Sequence, residues 1–129
     1  MMSTMDTISM LIPLKAEYVS IARLTVSGIA SRMGFDIDTI EDIKVALSEI
    51  LGKYIEKKPG AGRVNVDFQC LEDGISIKFK IPDQSIPGLF DNDTDKFALA
   101  IISSLMDEIE IEKQGDNSIT MVKKLGKAV

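Results

Sequence analysis

Residues Thr39–Lys58 read TIEDIKVALSEILGKYIEKK, and their period decides the architecture. Ile40, Ile43, Leu47, Ile50 and Tyr54 step by three and four residues, the spacing that lays apolar side chains along one face of an α-helix. Asp38 followed by Glu41 predicts the N-terminal cap, and Pro59-Gly60 stops the helix. Glu49 and Lys53 lie beside the stripe rather than within it. They form an i, i+4 acid-base pair in the favourable order, a common solvent-side device worth a few tenths of a kcal/mol.

Working outward, Val19, Ala22, Val26, Ile29 and Met33 predict an earlier helix, with Gly34 as its C-cap. Before it, Ile8, Met10, Ile12 and Leu14 alternate as a half-buried strand, and Pro13 places that strand at a sheet edge. After the central helix the period falls to two. Val64, Val66, Phe68 and Cys70, then Ile75, Ile77, Phe79 and Ile81, form a hairpin across Glu72-Asp73-Gly74. Residues 82–93, PDQSIPGLFDND, read as a long loop in the position of a lid. Thr94–Met106 reads as a third helix with Ala98, Ile101, Ile102 and Leu105 on one face. Ile109 and Ile111, then Ile119 and Met121, form a second hairpin across Gln114–Asn117. This order predicts an α+β two-layer sandwich, a mixed, mainly antiparallel sheet with three helices on one face. The expectation is one domain over residues 1–129, with 1–7 a flexible N-terminus.

Composition narrows the chemistry. The chain is 45% apolar and 27% charged, as a soluble globular protein is. Its 15 Lys and Arg against 20 Asp and Glu leave a net charge of −5, which argues against nucleic acid or anionic membrane as partners. No histidine is present, so Ser-His-Asp and Cys-His nucleophilic chemistry is excluded. Cys70 is the only cysteine, which rules out an internal disulfide and suits a cytoplasmic setting; in line with Val64, Val66 and Phe68 it reads as a small core residue. The N-terminus lacks a basic leader and no apolar run is long enough to span a bilayer. Asp91-Asn92-Asp93-Thr94-Asp95 imitates the start of a calcium loop, but Lys96 replaces the required glycine and Ile102 the bidentate glutamate, so no metal site is assigned.

Three segments, EYVSIARLTVSGIASRMGF, IEDIKVALSEI and SSLMDEIEIE, resemble the anti-sigma factor serine kinases, over about Ile8 to Leu125. The resemblance implies the histidine-kinase-like ATPase fold and a cytoplasmic homodimer that binds a sigma factor. It also implies phosphorylation of a serine on an anti-anti-sigma partner, with ATP and magnesium. By the same resemblance Glu49 is the base that activates the attacking hydroxyl. Lys53 stands where the family's magnesium-ligating asparagine would be. Asp83 matches the aspartate that reads the adenine amino group, without the glycine two positions on. The glycine-rich phosphate turn is replaced by Asp93-Thr94-Asp95-Lys96-Phe97-Ala98, so Lys53, Asp83 and Lys96 are the carried-over nucleotide-site positions. Asp93 and Asp95 put negative charge where phosphates would lie. Arg23 matches an arginine on the partner-binding face.

These departures lead to the expectation of an anti-sigma-like binding protein for which no cofactor is expected. The alternative is an active ATP- and magnesium-dependent serine kinase in which Lys53 contacts phosphate. A third possibility is that the old nucleotide pocket binds another small ligand, or has filled with side chains such as Phe97 and Phe90.

Overall fold

The computed structural model describes residues 6–57, 62–81, 90, 92–112 and 118–126. Strand β1 (Thr7–Pro13) leads through a turn of 3-10 helix (Ala16–Tyr18) into α1 (Val19–Met33) and α2 (Ile37–Lys57). Then follow β2 (Arg63–Leu71), β3 (Gly74–Lys80), α3 (Asp93–Leu105), β4 (Glu108–Glu112) and β5 (Ser118–Lys124). The sheet order is β1-β2-β3-β5-β4, and every pairing among these strands is antiparallel rather than mixed. β1 is an edge strand, as Pro13 predicts. It begins at Thr7, and the amide of Cys70 already donates to the Asp6 carbonyl, so ordered pairing reaches into the stretch expected to be flexible.

Alternation in the strands produces the two layers. Val64, Val66, Phe68, Ile75, Ile77, Phe79, Ile119 and Met121 are buried on one face, against the inner faces of the helices. Asn65, Asp67, Gln69, Ser76 and Thr120 line the opposite, partly exposed face. Ala22, Val26, Ile29 and Ala30 of α1 join Ile43, Leu47, Ile50, Leu51 and Tyr54 of α2 in the same core. α2 packs against α1 on one side and α3 on the other, which makes it the middle helix of its layer.

Gly34 ends α1 at φ 99°, and its amide reaches the Ala30 and Ser31 carbonyls, while the Phe35 amide also reaches the Ala30 carbonyl. That turn buries Phe35 and brings Asp36 to the start of α2. The cap is therefore Asp36, not Asp38: its carboxylate accepts from the Thr39 amide at 2.8 Å, and its carbonyl accepts from the Ile40 amide at 2.9 Å. Gly74 is needed for space. A Cβ there would collide with the Lys123 backbone of β5, so the residue that closes the hairpin also lets the second hairpin dock.

Candidate functional site

The last two turns of α2 and the first turn of α3 meet around one carboxylate. Lys53 and Lys57 are i, i+4 on α2, so their side chains lie on one face, and both reach Asp95. Lys57 Nζ is 2.7 Å from Asp95 Oδ2, and Lys53 Nζ is 2.9 Å from Oδ1. The second contact is an ion pair rather than a well-directed hydrogen bond, since Oδ1 has no hydrogen-bond donor. Asp95 is fully buried and Lys53 only 8% exposed. Lys53 also donates to Glu56 Oε2 at 3.0 Å.

Asp95 serves its own helix as well. The Asp95 amide donates to Asn92 Oδ1 at 2.7 Å and the Asn92 amide to Asp95 Oδ2 at 3.4 Å, a reciprocal capping box. With Lys57 the largest influence, then Lys53 and the Asn92 amide, the Asp95 carboxyl is held down at about 2 despite burial. Asp95 in turn raises Lys53 above its ordinary value. Both ions are thus charged throughout the physiological range. Beside them Tyr54 is packed into the core, where burial pushes its phenol well above the usual range.

The candidate residues fare differently. Glu49 is half-buried on α2 one turn before Lys53, but Lys53 turns to Asp95 and Glu56, so the expected Glu49–Lys53 pair does not form. Its cause is burial: a cation at this depth takes the fully buried anion facing it across the helix pair. Lys96 is exposed on α3, its amide donating to the Asn92 carbonyl. Arg23 is exposed on α1, close enough to Glu41 of α2 to help lower its pKa, behind the larger influence of Lys44. Asp83 and most of the 82–93 loop lie outside the described residues, as does the tip of the second hairpin. Phe90 is buried, but Phe97 is 70% exposed and fills nothing. Lys57 was not among the sequence candidates; its i, i+4 spacing from Lys53, and the Asn92-x-x-Asp95 box, were the available signals.

At Lys53 and at the α3 N-terminus the groups present are cations and a buried carboxylate. At the position the resemblance gives to a metal ligand, Lys53 offers an ammonium, a donor with no lone pair for a cation. At the α3 N-terminus, where bare amides would cradle phosphate, the Asp95 and Asn92 amides are taken by the capping box and a carboxylate is already seated. A half-open cleft of about 520 Å³ lies at the other end of α2, lined by Asp36, Thr39, Asp107 and Lys123 among others.

Comparison with known proteins adds the lineage. Residues 12–123 match the model of the histidine kinase-like ATPase domain. The chain is similar to a protein named serine-protein kinase RsbW from Oceanobacillus iheyensis, 36% identical, covering 95% of this chain and 89% of that one. A protein of the same name from Staphylococcus aureus is 36% identical over 98% of this chain and 92% of its own length. In structure the chain is similar to the solved RsbU and RsbW domains of a Mycobacterium tuberculosis protein, with a TM-score of 0.72 at 16% identity. That match covers 95% of this chain and 33% of the larger one.

Proposed function

Since the chain belongs to the histidine kinase-like ATPase family, and an ion cluster lies at positions that the resemblance carries over from the nucleotide site, we propose that it is an anti-sigma-type regulator acting by protein contact. Its partners in this reading are a sigma factor, an anti-anti-sigma protein, or both. It works without efficient phosphotransfer. The observation that carries the reading is the buried Lys53–Asp95–Lys57 cluster. Phosphoryl transfer depends on positioning and on neutralising charge around the transferred group, and this cluster spends its cations on an internal carboxylate. Exposed Arg23 supplies a partner contact on α1. The edge position of β1, with Ile8 and Leu11 exposed, supports a homodimer. No described helix is long and apolar enough to cross a membrane, which is compatible with a cytoplasmic regulator.

Calorimetric titration with ATP, with and without magnesium, tests this. The expected result is no measurable heat at millimolar nucleotide; micromolar affinity would overturn it. Sedimentation should give twice 14.1 kDa. The competing reading is an active serine kinase, favoured by the identity to proteins named kinases and by a Glu49 carboxylate that no described residue engages. Transfer of labelled phosphate to a serine of an anti-anti-sigma protein, lost in Glu49→Gln, would establish it instead.

A further inference from the structure

We propose that Asp95, gripped by Lys53 and Lys57, is a built-in latch that fixes the first turn of α3 to the last two turns of α2 with no bound nucleotide. The packing of α3 motivates it. Among Asp93, Thr94, Asp95, Lys96, Phe97 and Ala98, only Asp95 and Ala98 are buried. One of these is a methyl group, so within the first turn itself no large apolar side chain is buried; apolar packing comes from Phe90 before the cap and from the half-buried Leu99 and buried Ile102 beyond the turn. Phe97, the one bulky apolar side chain within residues 93–98, is exposed. Within the turn itself, the direct ties are the two-cation grip on Asp95 and the capping box through which the same carboxylate holds its own helix end.

The arrangement supplies within one chain what an anionic ligand and its cations supply between molecules. Two ammonium groups converge on a carboxylate at a helix N-terminus. Because the anion is tethered three residues into α3, it cannot diffuse away when the contact opens, and its effective concentration is set by the fold. Burial screens the cluster from added salt. The first turn of α3 should thus sit in one position whatever the nucleotide level, and the partner-binding surface should not be switched by ATP or ADP.

Hydrogen exchange of the backbone amides of residues 96–102, with β2 and β3 as internal reference, tests the latch. In the wild-type protein, millimolar ATP with magnesium should leave α3 protection unchanged. Asp95→Asn should lose about tenfold or more of that protection while the sheet stays as it was. If the two unpaired lysines keep that variant from folding, Lys57→Met/Asp95→Asn removes one cation with the anion and should show the same selective loss. Protection of α3 within about twofold of wild type in the folded variant would overturn the latch, as would a rise in wild-type α3 protection on adding magnesium-ATP. The inference deepens the reading above and rests on it for the absence of nucleotide. Calorimetric ATP binding that left α3 exchange unchanged would sink that reading and leave the latch standing.

Discussion

The two ends of α2 use the same kinds of residue to opposite effect. At its start, Asp36 caps an exposed turn and Glu41 pairs with Lys44 at 2.6 Å, with the Glu41 side chain 57% exposed. At its end, Lys53 and Lys57 converge on a carboxylate with no exposure at all. Exposed ions lose little when separated, because water solvates each of them. Buried ions depend on each other, since removing one leaves the others charged and unsolvated. The first end is ordinary helix chemistry. The second couples two helices.

The largest effect that would test this contrast comes from Asp95→Ala, which strands two lysines and unmakes the capping box. Its expected cost is a drop in Tm on the order of 10 °C, read by thermal unfolding. A drop within a degree or two would show that the end of α2 behaves like its start. Next comes pH. Asp95 has a folded pKa of about 2, below its ordinary 3.8, so its stabilisation is fully present above about pH 4 and is lost as pH falls toward 2. Replacing the cluster with apolar residues, Lys53→Met/Lys57→Met/Asp95→Leu, should flatten the unfolding profile across that window. An unchanged acid limb would assign the acid lability to other carboxylates, Asp36 and Glu41 first, since both are also lowered. Asp36→Ala removes only a cap, and a loss of about 3 °C is expected. Smallest is Lys44→Ala, where Tm should move by no more than about 1 °C and the difference should vanish in 1 M salt. The Asp95 effect should persist in that salt.

Much of the fold was legible because burial on one face imposes a period. The stripe from Ile40 to Tyr54 located α2, Gly34 located the end of α1, and the alternation from Val64 to Ile81 located the hairpin. The Asp38 cap was misplaced by two residues because Asp36 and Asp38 are equivalent by type, and only the turn that buries Phe35 chooses between them. Of the site, Lys53 was readable as a candidate, but its partner was not. Within one helix Glu49 is the obvious mate for Lys53. Asp95 lies 42 residues on and comes near only when α3 packs beside α2.

By itself, the sequence determined the layered α+β architecture, the order of its elements, the absence of histidine chemistry and the family likeness, all of which depend on local period or residue type. Tertiary structure alone decided that Lys53 and Lys57 share one buried anion, that Phe97 faces solvent while Phe90 does not, and that Gly74 is required by a neighbouring strand. The physical reason is that a charge or a contact between distant segments is set by which helix faces meet and how much water remains between them, and neither is recorded in spacing along the chain.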